Sequence, residues 1–157
     1  MRFQGKLTKV GRWWAAEVSI LGVHTQGRTK AEAYLMVADA IEALVDKSGF
    51  KAMVYPGTSG YFEVGANDDS ALMAFMLRQR RAIAGISLAD AAKRMGAKSR
   101  NAYARYEQGS STPTIDSLSA LMSAVGGLAV VISESTLGKE KHPKNRRSSS
   151  GSRSARV

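Results

Sequence analysis

The first 64 residues follow a strand pattern, then a helical pattern, and then a strand pattern again. The segments "RFQGKLTKV" and "RWWAAEVSI" flank a turn at Val10-Gly11-Arg12, which predicts a β-hairpin. "VHTQG", after a break at Leu21-Gly22, predicts a third short strand. "AMVY" and "YFEV", on either side of Pro56-Gly57, predict two more strands.

The helix between these strands is expected to begin after Thr29 and to end at Gly49. Glu32 lies three residues after Thr29, a spacing typical of a capping box. Residues 1–64 are therefore predicted to be an α+β module of order β-β-β-α-β with an extra edge strand. The apolar residues at helical spacing are Ala33, Leu35, Met36, Val37, Ala40, Ile41 and Leu44.

A polar break, "GANDD" at 65–69, predicts a linker, and beyond it the pattern becomes helical. Residues 70–133 are predicted to form an all-α domain, closed by "GGLAVVIS" (126–133), which has strand character. The expected N-caps are Ser70, Ser87 (with Asp90 as capping-box partner) and Ser99, the expected stops are Gly85, Gly96 and Gly109, and the fourth helix runs over 116–125.

The last segment, 134–157, is rich in serine and arginine and has almost no apolar content. Such a composition buries too little surface to offset the entropy of ordering, so a disordered basic tail is expected.

The two halves of the chain differ in net charge. The net charge is +10, yet residues 1–69 carry eight basic and eight acidic side chains and sum to zero. All the excess lies in the second half, which favours a polyanion such as nucleic acid as its partner.

The composition also excludes several classes of site. There is no cysteine, and His24 and His142 are far apart, so neither a disulfide nor a zinc site is expected. The start lacks the apolar core of a signal peptide, and no apolar run approaches the roughly 18 residues that span a bilayer. A soluble cytoplasmic protein without cofactor, metal or membrane contact is expected.

The second and third helices of the helical region, joined by a tight glycine turn, form a helix-turn-helix pattern. On a helical projection, Arg100, Asn101, Ala104 and Arg105 share one side of the third helix, opposite Ala102, Tyr103 and Tyr106. Arginine suits guanine and asparagine suits adenine in the major groove. Lys98 and Ser99 lie at the helix start, where phosphate is favoured. An isolated helix with one polar face is more often an ordinary surface helix, but the turn spacing and the local charge favour DNA binding.

Residues 77–125 resemble the Cro/C1-type (XRE) helix-turn-helix family. The matching features are Arg81 with Gly85, Ala92, Gly96, "RYEQG" and Pro113. The resemblance implies a structural salt bridge between Arg81 and Glu107. This chain has one residue more than the usual pattern between Gly96 and Glu107, so the resemblance does not fix the groove register of 98–100, whereas Asn101 and Arg105 align from the Glu107 side. The candidate DNA-contacting residues are Ser87, Lys98, Ser99, Arg100, Asn101, Arg105 and Gln108.

The first half offers no catalytic motif. Asp39, Glu42 and Asp46 share a helix face and could imitate paired catalytic carboxylates, but a solvated face is the expected state. His24 is expected on a strand surface. Trp13-Trp14 point to opposite faces of a strand, so one ring is expected in the core and the other facing a partner.

The segment "LGVHTQGRTKAEAYLMVADAIEAL" resembles the HicB antitoxin family. The shared features are Gly22, Thr25-Gln26-Gly27, Thr29, Glu32 and Ala33, while the proline usual before the glycine is absent and Arg28 replaces a common aspartate. The resemblance implies a partial RNase H-like N-terminal domain that has lost catalysis. It also implies a HicA-like RNase toxin as partner and a DNA-binding domain that represses the operon.

The sequence therefore predicts a type II antitoxin that is not an enzyme, that binds double-stranded operator DNA as a homodimer or higher oligomer, and that neutralises a HicA-like toxin. "GLAVVIS" is expected to pair across the two-fold axis. One alternative is a stand-alone transcriptional regulator whose first domain only oligomerises or senses. Another is a nuclease that uses the RNase H-like fold.

Overall fold

The computed structural model describes residues 1–126, and its first half is a five-stranded sheet with one helix. The strand order is β3-β2-β1-β5-β4, and every neighbouring pair is antiparallel. The prediction of a strand-rich first half followed by helices is confirmed. The predicted extra edge strand is present as β4, and the last strand, β5, lies between β1 and β4. The elements are β1 (Phe3–Val10), β2 (Trp13–Val18), β3 (Val23–Gly27), α1 (Lys30–Val45), β4 (Ala52–Pro56) and β5 (Tyr61–Ala66).

One face of the sheet is buried beneath α1. Phe3 pairs with Val64 and Leu7 with Ala16, and all four side chains are buried on this face. At the end of β3, Gly27 meets the first turn of α1 so closely that a Cβ atom would collide with the backbone nitrogen of Ala33. The glycine of "TQG" therefore allows strand and helix backbones to touch.

The cap of α1 differs slightly from the predicted capping box. The Thr29 hydroxyl accepts from the Glu32 N–H at 3.1 Å, as expected. The Glu32 carboxylate, however, accepts from the N–H of Arg28 rather than of Thr29, at 2.7 Å. The helix ends at Asp46, which adopts a left-handed conformation, and not at Gly49 as predicted. Aspartate tolerates this conformation because its short polar side chain can bond locally.

Only part of the predicted apolar stripe of α1 is buried. Ala33, Val37 and Ile41 are fully buried, because residues four apart form the single row that faces the sheet. Leu35, Met36 and Leu44 were predicted from the same pattern but remain 60%, 42% and 47% exposed. The sheet covers one side of α1, and Leu35 and Met36 project away from it, whereas Leu44 lies in the last turn of the helix, on the side of the buried row.

The second half consists of four helices, and the first of them joins the two halves. Residues 71–77 of this helix are all buried, against the sheet half on one side and the helical half on the other. We call residues 1–66 the sheet half and residues 67–126 the helical half. The helices are α2 (Asp69–Ile83), α3 (Leu88–Arg94), α4 (Arg100–Glu107) and α5 (Ile115–Ala124).

The connection between the halves is shorter than the predicted linker of 65–69. β5 continues to Ala66, so only Asn67 and Asp68 precede α2. Asp68, not Ser70, is the N-cap, and its carboxylate accepts from the Ala71 N–H at 2.9 Å. Lys47 bonds the same carboxylate at 2.7 Å and holds it in place, a long-range contact that local sequence does not reveal.

The helix limits in the helical half follow the predicted glycines. Gly85 and Gly96 have φ of +65° and +79°, a conformation that costs glycine little. α5 begins one residue earlier than predicted, after the N-cap Thr114. None of the helices within residues 1–126 is long and apolar enough to cross a membrane. The predicted strand at 126–133 and the predicted tail at 134–157 lie, apart from Gly126, outside the described residues.

Candidate nucleic-acid interface

The α3–turn–α4 unit is fixed by local caps. The Ser87 hydroxyl accepts from the Asp90 N–H at 3.1 Å, and the Asp90 carboxylate accepts from the Ser87 N–H at 3.3 Å, which completes the predicted capping box. The pKa of Asp90 is lowered, mainly because the Ser87 hydroxyl also donates to its carboxylate at 2.7 Å and further because the Ser87 N–H does so. The Ser99 hydroxyl caps α4 by accepting from the Asn101 N–H at 3.2 Å.

Small residues let α4 lie close to α3. Ala91 and Ala92 of α3 are almost fully buried at this contact. From α4, Tyr103 is completely buried, while Ala102 and Tyr106 are half-buried. Burial and the neighbouring Glu107 carboxylate raise the pKa of Tyr103, so its phenol is neutral. The inward side of α4 is thus apolar and packed, as the helical projection predicted.

The outward side of α4 presents polar side chains to solvent. Arg100, Asn101 and Arg105 are exposed around a half-buried Ala104, and Lys98 and Ser99 are exposed at the helix start. Within residues 1–126, neither Lys98 nor either arginine forms an ion pair. Their charges are therefore available to an external anion.

Two of the candidate contacts are placed less favourably. Ser87 already accepts from Asp90 and also donates its hydroxyl proton to that carboxylate at 2.7 Å, so its side chain is committed to the cap. Gln108 is exposed at the C-terminal end of α4, about 12 Å along the helix axis from its start. It lies apart from the group formed by Lys98, Ser99 and Arg100.

Arg81 and Glu107 form a two-pronged ion pair behind α4. Arg81 Nε donates to Glu107 Oε1 at 2.7 Å, and Nη2 donates to Oε2 at 3.1 Å. The third nitrogen donates to the Ile86 carbonyl at 3.0 Å, so one guanidinium joins the end of α2, the α2–α3 turn and the end of α4. The Glu107 side chain is only 8% exposed. Its hydrogen bonds raise the pKa of Arg81.

Two other arginines of the helical half have structural partners that the sequence did not signal. Arg78 donates to the Leu44 carbonyl at 3.0 Å and so contacts α1. Arg94 donates to the Ala124 carbonyl at 3.5 Å and so contacts α5. Because both acceptors are backbone carbonyls brought close only by the fold, no side-chain pattern could have identified them.

The carboxylates of the sheet half do not form a metal site. Glu42 accepts from Lys51 Nζ at 2.7 Å and from the Ala52 N–H at 3.1 Å, and the lysine bond lowers the pKa of Glu42. Asp46 ends α1, and Asp39 is exposed. Within the part of the chain that the structure describes, no group of three or more histidine or carboxylate side chains could hold a metal ion.

The aromatic pair and the histidine lie on the sheet surface. Trp13 and Trp14 are both half-buried, and only Trp14 packs against the core. The expectation of one ring in the core is therefore met only in part, since Trp14 packs against the core without being buried in it. His24 is exposed on β3.

Comparison with known families agrees with this geometry. Residues 77–127 match the helix-turn-helix family model. The comparison with curated proteins gave no match. The helical half therefore contains a helix-turn-helix domain of the Cro/C1 type, and the chain is a sequence-specific DNA-binding regulator.

Proposed function

We propose that this regulator is an antitoxin: its helical half represses its own operon, and its sheet half binds and neutralises a small HicA-like RNase toxin. The observation that carries the DNA-binding part is the outward side of α4. Its exposed side chains have no ion partner in residues 1–126, and the Arg81–Glu107 pair anchors the helix from behind.

In the proposed complex, α4 enters the major groove. Arg100 and Arg105 donate to guanine O6 and N7, and Asn101 bonds adenine N6 and N7. Lys98 and the Ser99 hydroxyl contact phosphates at the helix start. A dimer would place its two recognition helices about one helical turn apart on a two-fold symmetric operator.

A gel shift with the DNA upstream of the gene tests this assignment. Arg105→Ala should weaken binding roughly fivefold to hundredfold, which is the worth of one good base contact. Lys6→Ala is the matched control, because it removes an exposed positive charge from the sheet half. Equal binding by the arginine variant and the control would overturn the role of Arg105.

The toxin-binding part rests on the resemblance around "TQG" and on the surface of α1. The α1 outer face, defined as Glu32, Leu35, Met36 and Asp39, is exposed along its whole length. Its two apolar side chains provide area to bury, and its two carboxylates complement a basic protein. An RNA-cleaving toxin must attract a polyanion, so a basic surface is the expected chemistry of that partner.

Co-expression with the product of the neighbouring reading frame tests toxin binding. The double variant Leu35→Ser/Met36→Ser should lose the complex and fail to rescue growth. Leu44→Ser is the control, since Leu44 is also exposed but lies on the other side of α1. A complex unaffected by the double variant would exclude the α1 outer face as the docking surface.

The double variant Leu35→Ser/Met36→Ser also distinguishes an antitoxin from a stand-alone regulator. If the sheet half only oligomerises, the double variant should change the sedimentation coefficient of the pure protein, and no toxin complex should form with the wild type. An antitoxin keeps its oligomeric state in the variant and loses only the toxin. We also propose that the chain has no nuclease activity; metal-dependent RNA cleavage by the pure protein would contradict this.

A further inference from the structure

A cluster of basic and aromatic side chains lies at one end of the sheet, where β1 and β3 end and β2 and α1 begin. In the sheet register, Trp14 stands opposite Lys9 on one side and Gly27 on the other. We call this group the hairpin-end cluster; its members are Lys9, Arg12, Trp13, Trp14, Arg28 and Lys30.

Two cationic side chains lie close to each tryptophan ring of the cluster. The ammonium groups of Lys9 and Lys30 lie 5.7 Å and 4.7 Å from the centre of the Trp14 ring. The guanidinium carbons of Arg12 and Arg28 both lie 5.7 Å from the centre of the Trp13 ring. Because the rings point to opposite faces of β2, cations surround this end of the sheet on both sides.

The sheet half carries eight basic and six acidic side chains, and these charges are unevenly distributed over it. Elsewhere in this half, Arg2, Lys47 and Lys51 each form an ion pair with a carboxylate, and within residues 1–126 only Lys6 does not. The four cations of the hairpin-end cluster form none with any residue in 1–126. The acidic residue beside them is Glu32, whose carboxylate accepts from the backbone N–H of Arg28.

The cluster lies at the opposite end of the sheet from the helix-turn-helix domain. α2 packs against the turn at Ser19–Leu21, which follows the far end of β2. The Ile83 side chain also comes within 3.1 Å of where a Cβ of Gly22 would lie. β2 spans six residues, or roughly 17 Å. A duplex held by α4 therefore does not account for these cations.

We propose that the hairpin-end cluster is a second nucleic-acid site, which binds a single strand of RNA or DNA. Arg12, Arg28, Lys9 and Lys30 contact successive phosphates, and an unpaired base stacks on Trp13 or on the guanidinium planes beside it. Bases in a duplex are stacked on each other, so this contact selects single strands. The inference does not depend on the antitoxin proposal.

Tryptophan fluorescence of the full chain tests the site directly, because Trp13 and Trp14 are the only two tryptophans in the sequence. Twelve-nucleotide oligo-U or oligo-dT should quench the fluorescence saturably, and added salt should weaken the effect. The oligonucleotide with the lower half-saturating concentration shows whether RNA or DNA is the preferred ligand. An oligonucleotide bound elsewhere on the chain would place no base against these rings and should not quench their fluorescence.

Duplex DNA and polyglutamate are the competing ligands. Equal quenching by a duplex would overturn the single-strand assignment, and equal quenching by polyglutamate would identify an acidic protein as the partner instead. Absence of quenching by both oligonucleotides would overturn the site itself.

The variant Arg28→Ala should raise the half-saturating concentration roughly fivefold, because a phosphate contact is lost. Lys6→Ala removes one exposed charge from the same sheet outside the cluster and should leave it unchanged. Thermal melting by circular dichroism shows whether both variants remain folded. Equal half-saturation in the two variants would contradict the proposal.

Discussion

The helices α1 and α4 both bury one face and expose the other, but their exposed faces have opposite chemistry. The α1 outer face carries leucine, methionine and carboxylates. The outward side of α4 carries two arginines and an asparagine. An apolar, acidic surface suits a protein partner, whereas a basic, amide-bearing surface suits DNA. Under the proposed function, the two exposed faces bind different partners.

The two helices also differ in what holds them. α1 lies on the sheet through a row of small and branched apolar residues and the close contact at Gly27. α4 is short, and the Arg81–Glu107 ion pair fixes its C-terminal end. In the proposed complex this anchor matters, because a small shift of so short a helix would move all of its proposed base contacts.

Breaking the Arg81–Glu107 ion pair, which anchors α4, should have the largest effect on stability. Glu107→Ala leaves the Arg81 charge half-buried without its partner and should lower the free energy of unfolding by about 3–5 kcal/mol. Urea denaturation measures this loss. Glu63→Ala is the control, since it breaks the exposed ion pair with Arg2 and should cost about 1 kcal/mol or less.

Two spectroscopic probes of this unfolding also test how the halves are joined. Tryptophan fluorescence reports on the sheet half, and far-UV circular dichroism reports mainly on the helices. Because the buried residues of α2 pack on both halves, we expect the transitions to shift together in Glu107→Ala. Separate transitions would show that the halves unfold independently.

Separating α1 from the sheet should have the next largest effect. In Gly27→Ala, the new methyl group would collide with the backbone of α1, so the helix must move away from β3. We expect a loss of about 1–3 kcal/mol in urea denaturation, as for other overpacked sites. A variant as stable as the wild type would show that this contact does not fix α1.

The smallest expected effect is on the stability of the protein at acid pH. The N-caps of α2 and α3 depend on Asp68 and Asp90, whose folded-state pKa values are lowered, mainly by Lys47 and by Ser87 respectively. Because a lowered pKa means that the folded state favours the ionised form, this stabilisation is complete above the ordinary carboxylate pKa of about 4 and is lost as the pH falls through the folded-state values. At α1 the N-cap bond is made by the Thr29 hydroxyl, which does not titrate in this range.

Asp90→Asn should therefore reduce the decline in stability on acidification from pH 5 to pH 2, as followed by thermal melting. Thr29→Ala should lower stability equally at all pH values. An unchanged pH profile in Asp90→Asn would contradict the role assigned to the carboxylate.

Local sequence predicted the features that depend on a few neighbouring residues. The caps at Ser87 and Ser99, the glycine stops and the orientation of α4 each follow from spacing within one helix. The N-cap of α2 was predicted at Ser70 but lies at Asp68, whose carboxylate is also bonded by Lys47 from 21 residues away, a contact that local spacing does not show.

Features that depend on the whole fold were missed or only partly predicted. The exposure of Leu35 and Met36 follows from the sheet covering one side of α1, which the helical period alone does not show. The cations of the hairpin-end cluster come from three segments that the strand register brings together. In the candidate interface, the sequence predicted both the exposed side chains of α4 and the Ser87 cap, and this cap is what commits the Ser87 hydroxyl to Asp90.

The ratio of specific to non-specific DNA affinity in Asn101→Ala tests the central claim, that the outward side of α4 reads bases, most directly. Asparagine carries no charge, so its removal should not change the salt dependence of binding. The affinity for the upstream operator should fall roughly fivefold to hundredfold relative to a scrambled duplex. An unchanged ratio, with the protein still folded, would contradict base reading by α4.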